Sequence, residues 1–161
     1  MGRRPDERNY SASEVREAKS LVRRSKTATK RYRNVKNAEA DGYVVQKPKK
    51  KTQRFLHAKN KANLVDGKVL DPSKPESLLY ERLKGGKLKL VGVMFSANKD
   101  EAAPTVGGGI GQFHHHNPRL EVTSGGGMGG MMHVWFKDDV SDAYMQTQGQ
   151  DPKKKKKPKK A

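Results

Sequence analysis

Charge is divided along this 161-residue chain in a way that restricts where a folded core can form. Residues 1–60 carry 18 Lys and Arg against 6 Asp and Glu, a net charge of +12, and residues 151–161 carry 7 against 1, a net of +6. Residues 61–150 carry 10 of each and are neutral. Only 32% of the residues are hydrophobic, below the roughly 45–50% that is usual for domains. We therefore expect one domain flanked by basic segments.

Segregated positive charge attracts polyanions and speeds encounter with them. The sequence thus predicts docking on a polyanion, most simply a nucleic acid or a nucleoprotein assembly. The alternative is that these residues form a solvated surface that serves solubility. The candidate contacts lie on an N-terminal helix, in a proline-broken loop and in a lysine-rich tail: Arg23, Arg24, Arg31, Arg33, Lys49, Lys50, Lys51, Lys153, Lys154, Lys155, Lys156, Lys157, Lys159 and Lys160.

Several classes of protein are disfavoured by what the sequence lacks. Without cysteine there are no disulfides and no thiolate metal ligands. No window approaches the roughly 18 apolar residues of a membrane span. The start "MGRRPDERNY" has no apolar segment of a cleavable signal peptide behind it. These features predict a protein of the cytoplasm or of a nucleoprotein or virion assembly, and they leave the oligomeric state open.

A long N-terminal helix is predicted over residues 12–41. Ser11 and Glu14 form a capping-box pattern at its start, and Gly42 stands where a left-handed C-cap is expected. Small and apolar residues recur at helical spacing between them, but the stripe is narrow and basic side chains cover the rest. One thin face is therefore expected to pack on the body of the protein.

Short strands are predicted over the sheet region, residues 42–140. "GYVVQ" is a candidate strand, and the runs 77–83 and 87–97 form a candidate hairpin around Gly85 and Gly86. The apolar parity of the second run changes at Gly92, which predicts a bulge or burial of both faces beyond it. "RLEVTS" and "MMHVWFKD" are two further candidates.

These elements predict an α+β fold, an antiparallel sheet of four to six strands packed against one long N-terminal helix, with disordered basic tails. The expected organisation is a basic arm over residues 1–10, the domain over residues 11–150 and a lysine-rich tail over residues 151–161. A tail of lysine broken by proline is too polar to fold alone.

The stretch "GQFHHHNPRLEVTSGGGMGGMMHVW" contains four of the five histidines. In an extended segment His114 and His116 share one face and His115 points to the other. His133, on a strand that pairs back, could approach this two-ligand clip, and Glu121 is a candidate carboxylate ligand. Neutral imidazoles suit a divalent transition metal, namely Zn, Cu, Fe or Ni. The alternative is a histidine-rich loop beside a hydrogen-bonded core histidine.

Other site chemistries have less support. Gly108, His114, His116 and Glu121 approximate the first metal motif of cupin barrels, but the stretch that follows is too short for the second motif and the strands are too few. "GGGIGQ" fits neither the dinucleotide-binding pattern nor the phosphate-binding loop with its Lys-Ser/Thr. A hydrolase triad has little support, since serine is scarce near the histidines.

Five blocks of this sequence resemble an uncharacterised family of bacterial proteins, many of them exported. They are "TATKRYRNVKNAEADGYV", "FLHAKNKANLVDGKVLDPSKPESLLYE", "GKLKLVGVMF", "FHHHN" and "MMHVWF", in the family's order over about residues 25 to 140. The resemblance implies a common domain with a metal-binding set at His57, His114, His116 and His133. Phe113 stands where the family has tryptophan, and the family has no basic arms.

The sequence as a whole predicts a small α+β domain with a histidine metal site, docked through basic arms on a polyanion. Two alternatives stay open. One is a structural component of a virion, ribosomal or nucleoid assembly that binds no metal. The other is a metal-dependent redox or hydrolytic enzyme whose arms only localise it.

Overall fold

The computed structural model describes residues 4–114 and 128–146. Its centre is a five-stranded sheet, antiparallel throughout, whose strands lie side by side in chain order. The α+β class and the antiparallel sheet are therefore confirmed. The strands are β1 (Val44–Val45), β2 (Phe55–Lys59), β3 (Ser77–Arg82), β4 (Leu88–Ala102) and β5 (Met128–Trp135).

Among residues 4–114 and 128–146, four α-helices accompany the sheet. They are α1 (Ala12–Ala28), α2 (Val35–Ala40), α3 (Lys61–Leu64) and α4 (Val140–Ala143). None of the helices in the described part of the chain is both long enough and apolar enough to cross a membrane.

Helix α1 begins at the predicted capping box. The amide of Glu14 donates to Ser11 Oγ at 3.2 Å, and the amide of Ser11 donates to Glu14 Oε1 at 2.8 Å. Two of the amides that a helix start leaves without partners are thus satisfied. The helix buries Ala18, Leu21 and Val22 and exposes its basic side chains, as the narrow apolar stripe predicts.

The single helix predicted over residues 12–41 is interrupted. Helix α1 ends at Ala28, a 3-10 turn spans Lys30–Arg33, and α2 follows. Thr29 closes α1 because both its amide and its hydroxyl donate to Ser25 O, at 3.1 and 2.7 Å. Asn34 then caps α2 by accepting from the amide of Lys36. Local side-chain bonds therefore divide the helix without turning its apolar side away from the core.

The predicted cap at Gly42 ends α2. Its φ of 99° is left-handed, and the amides of Tyr43 and Gly42 donate to Ala38 O and Glu39 O at 3.0 and 3.1 Å. This pair of bonds is a Schellman motif, which turns the chain sharply out of the helix. The turn delivers Tyr43 to the core and the chain to β1.

The predicted hairpin joins β3 to β4. Gly85 and Gly86 have φ values of 80° and 81°, and the amide of Leu83 donates to Lys87 O at 2.8 Å. Both features expected at Gly92, a bulge and burial of both faces beyond it, are present. Tyr80 pairs with Leu90 but Leu79 pairs with Gly92, so β4 contains a bulge between Leu90 and Gly92. Both faces of the strand are buried from Gly92 to Phe95.

The bulge explains the change of parity in β4. Because it inserts one extra residue, the apolar side chains before and after it face the same core. That core lies between one face of the sheet and helices α1, α2 and α4. Tyr80 and Tyr144 tie the helical layer down, since their hydroxyls donate to Tyr32 O and Ala18 O, each at 2.7 Å.

The other face of the sheet carries a second, smaller apolar cluster. Phe55, Leu79, Met94 and Trp135 are its buried members, and Val91 and Met131 pack against it. Strand β2, which contributes Phe55, was not predicted from the sequence. The predicted strand "RLEVTS", the basic tail over residues 151–161 and the first three residues of the arm lie outside the described residues.

Candidate functional site

Three candidate metal ligands from distant parts of the chain lie together on the second face of the sheet. The ring of His133 in β5 is 5.8 Å, centroid to centroid, from that of His57 in β2 and 5.9 Å from that of His114. His133 is therefore the centre of the cluster, and it is buried, with 1% of its surface exposed. The other two predicted ligands, His116 and Glu121, lie outside the described residues.

Strand pairing explains how His114 reaches the cluster. The amide of His114 donates to Met131 O at 2.8 Å, and the amide of Met131 donates to His114 O at 2.9 Å. Gly130 permits this close approach, because a Cβ there would lie 2.9 Å from His114 O. The predicted approach of His133 to His114 by a returning strand is therefore observed.

Residues of the second apolar cluster surround His133. Met94 lies directly opposite it in β4, and Met131 precedes it by two residues on the same strand face. The ring of Trp135 stacks on the imidazole with 9° between planes and 5.9 Å between centroids. Aromatic and thioether groups therefore exclude much of the water around this imidazole.

Gln146 assigns the tautomer of His133. Its amide nitrogen donates to two backbone carbonyls, those of His133 and Tyr144, each at 2.9 Å. Its Oε1 must therefore be an acceptor, and it accepts from the amide of His133 at 2.8 Å. The same oxygen lies 3.4 Å from His133 Nδ1.

The proton of a neutral His133 ring consequently belongs on Nδ1, and the lone pair belongs on Nε2. A histidine that binds a metal usually donates its other ring N–H to a carbonyl or carboxylate oxygen, which orients the ring. Gln146 Oε1 is the oxygen that could accept from Nδ1–H of His133 in this way. No sequence pattern pointed to Gln146, because the contact depends on the chain turning back after α4.

The spacing of the rings is slightly wider than in a formed site. Two imidazoles bound to one zinc at about 2.0–2.1 Å have ring centres about 5 Å apart. Accordingly, within residues 4–114 and 128–146, no three His, Asp or Glu side chains are arranged to hold a metal ion. The donor set of neutral imidazoles fits a transition metal, whereas this arrangement of the described rings is more open than a closed coordination sphere.

The predicted basic contacts on the helical segment are all at the surface. Arg23, Arg24 and Arg33 are exposed. Arg31 is exposed too, but it pairs with Asp41 at 2.8 Å and lies over the Tyr32 ring. Its charge is therefore partly neutralised within the protein.

The loop 49–51 is also exposed. The structure adds three basic residues that the sequence did not single out, because Arg54, Arg82 and Lys84 line an open groove together with Lys51. The remaining predicted contacts, the seven lysines of the tail, lie outside the described residues: Lys153, Lys154, Lys155, Lys156, Lys157, Lys159 and Lys160.

Comparison of the chain with protein-family models, with curated proteins and with solved structures finds no match.

Proposed function

We propose that the chain is a metal-binding α+β domain that docks on a polyanion through its basic surface. The metal site is centred on His133 and takes a divalent transition metal, Zn, Cu, Fe or Ni. The observation that carries the proposal is the buried His133 ring, whose Nδ1–H is oriented by Gln146 while His57 and His114 lie beside it.

In this proposal each described residue has a distinct part. His133 offers Nε2 as the inner ligand, and His57 and His114 offer the imidazoles on either side. Gln146 positions His133 and does not bind the metal. His116 and Glu121, which lie outside the described residues, would complete the donor set, with Glu121 as the carboxylate ligand.

A metal held by these residues would supply Lewis acidity, or redox chemistry in the case of Cu or Fe. The hypothesis of a redox or hydrolytic enzyme rests on an open coordination position. The hypothesis of a purely structural part of a virion, ribosomal or nucleoid assembly requires no metal at all. Metal content separates the structural hypothesis from the other two.

Metal titration of the purified chain tests the site. We expect one tightly bound ion per chain, released by chelator, and a melting temperature that rises on loading because the ion binds only the folded state. His57→Gln and His114→Gln should each lower the stoichiometry or the affinity. His115→Gln is the matched control, since the sequence predicts that His115, which lies outside the described residues, points to the opposite face.

Three results would argue against the site. One is a metal-free parent protein that no metal stabilises, and another is an equal loss in the His115 control. The third is full metal binding by His133→Gln that circular dichroism shows to be folded. Gln146→Leu is expected to weaken binding without abolishing it, because it removes only the group that orients His133.

The docking part of the proposal rests on charge. The exposed basic residues of the helical segment and of loop 49–51, together with the lysines in the sequence of the tail, supply a net charge that residues 61–150 lack. Binding of the intact chain to duplex DNA across a salt series, measured by fluorescence anisotropy, tests it. Counterion release predicts an affinity that falls steeply as salt rises, and an affinity that is insensitive to salt would contradict it.

A further inference from the structure

We infer that the groove between loop 51–54 and the β3–β4 hairpin is a binding site for the phosphates of a nucleic-acid backbone. This inference rests on the proposed docking function and assigns part of it to one place. The groove is lined by two segments that are about thirty residues apart in the sequence: Lys51, Thr52, Gln53, Arg54, Arg82, Leu83, Lys84, Gly85 and Gly86.

Internal hydrogen bonds hold the loop wall of the groove in place. Arg82 Nη1 donates to Gln53 O at 2.9 Å, and the amide of Gln53 donates to Lys50 O at 3.0 Å. The Gln53 side chain bridges the loop, accepting from the amide of Lys49 at 2.7 Å and donating to Phe55 O at 2.9 Å. The loop that carries Lys51 is thus anchored to β3 before any ligand arrives, which lowers the entropy cost of binding.

The hairpin forms the opposite wall. Its turn is built on Gly85 and Gly86, which have left-handed backbones, and a Cβ added to either glycine would meet no other atom within 4 Å. The open space on this side of the turn therefore leaves room for a ligand to approach the backbone. Lys84 stands at the start of this turn and is exposed.

The charges of the groove do not cancel. Glu81, 8% exposed, is the acidic partner of Arg54. In the described part of the chain no ion pair involves Lys51 or Lys84. One carboxylate is thus matched by one guanidinium, and the two lysines and Arg82 leave the groove with a net positive charge.

The shape of the groove favours a polymer backbone over a single small anion. It is open, and exposed Lys49 and Lys50 extend the positive surface beyond Lys51. The ring of Phe55, which follows Arg54 in the chain, is 5% exposed and lies beneath the Arg54 guanidinium, 5.3 Å from the ring centroid. Since no ring among the lining residues is available to stack on a base, the contacts go to phosphates and carry little sequence information.

The double variant Lys51→Gln/Lys84→Gln tests the groove in the full-length chain. Its matched control is Lys59→Gln/Lys61→Gln, which removes two exposed lysines at the opposite end of β2. The probe is a fluorescent DNA duplex of about 20 base pairs in a salt series. Loss of two phosphate contacts should make the slope of log K against log salt shallower by about 2.

Raising the salt concentration from about 50 to about 200 mM lowers the affinity of both proteins for the duplex. The factor by which affinity falls should be about 12-fold smaller for the groove variant than for the parent. The control should keep the slope of the parent. A second readout is the rate of lysine acetylation: duplex DNA should slow it at Lys51 and Lys84 and leave it unchanged at Lys59 and Lys61.

The outcomes separate the two proposals. If the parent does not bind the duplex, the docking function itself fails. If the parent binds but the groove variant and the control lose equal slope, or acetylation slows at all four lysines alike, attraction is diffuse and the groove is not a site. Protection by a non-nucleic polyanion such as polyglutamate, equal to that by DNA at matched charge concentration, also overturns the assignment to nucleic acid.

Discussion

Glu76 is a carboxyl group that the fold holds almost out of water. It is 3% exposed, its Oε1 accepts from the amide of Ser96 at 2.7 Å, and its Oε2 has no hydrogen-bond partner among the described residues. The pKa of Glu76 is raised to about 8, chiefly by burial; the hydrogen bond from the Ser96 amide opposes this rise, and the nearby carboxylates Asp66 and Glu101 add to it. The protonated form is therefore the native one at neutral pH.

This raised pKa predicts how stability varies with pH. Between about pH 4.5 and about pH 8 the folded protein keeps a proton that the unfolded chain has released, so stability falls as pH rises through that window. The loss is at most about 1.4 kcal/mol per pH unit. Glu76→Gln should flatten this dependence and make the protein more stable than the parent at pH 8.

Urea denaturation at pH 5, 6.5 and 8 measures the free energy of unfolding of the parent and of Glu76→Gln. The control is Glu17→Gln, which removes an exposed carboxylate on α1. A variant whose stability still falls as steeply as that of the parent would show that Glu76 is already ionised in the folded protein.

At the scale of the element, the bulge in β4 depends on a residue without a side chain. A Cβ on Gly92 would lie 2.6 Å from Val134 O and 3.2 Å from Leu79 Cδ1. Gly92→Ala should therefore cost about 1–3 kcal/mol through overpacking, or a fall in melting temperature of roughly 2–12 °C for a chain of this size. Thermal unfolding followed by circular dichroism measures it.

Gly85→Ala is the informative comparison. A Cβ there meets nothing within 4 Å, but the φ of 80° is left-handed, so the expected cost of about 1 kcal/mol is backbone strain alone. Equal destabilisation by both substitutions would mean that β4 and β5 separate readily at Gly92.

Element boundaries could be predicted wherever a short-range signal sets them. The capping box at Ser11, the cap at Gly42 and the paired glycines of the hairpin are signals of this kind, and each is found in the structure. The break at Thr29 could not be predicted from periodicity. The 3-10 turn after it keeps Tyr32 and Ala38 on the buried side, so the apolar pattern continues across the interruption.

At the scale of the whole molecule, the basic segments should contribute additively to polyanion binding. Deleting residues 152–161 removes seven lysines and should make the salt slope shallower by up to about 6. Arg23→Gln/Arg24→Gln/Arg33→Gln should reduce it by up to about 3. Anisotropy with DNA and with RNA measures both effects.

Arg31→Gln alone is expected to change the slope little, because Asp41 already partly neutralises that guanidinium. Neither the truncation nor the triple substitution should alter the melting temperature. Binding that both the truncation and the triple substitution leave intact would show that neither the tail nor the helical segment takes part in docking.

The candidate metal site was only partly predictable from the residues. The alternation of side chains along strands was enough to predict that His133 approaches His114. His57 was predicted only from the resemblance to the bacterial family, because the sequence of β2, next to the basic loop, does not have the pattern of a strand. The approach of Gln146 to His133, like the groove formed by Arg54 and Arg82, depends on which distant segments the fold brings together. Local patterns carry no information about such contacts.

The hydrogen bond from the Tyr144 hydroxyl to Ala18 O joins residues that are 126 positions apart. At a ribosomal rate of about 5–20 residues per second, Tyr144 is made about 6–25 s after Ala18. During that interval the basic helix α1 has emerged without its last packing partner, and its apolar stripe is accessible to chaperones and to other chains. Completion of the core therefore waits until α4 has been synthesised and can pack against α1.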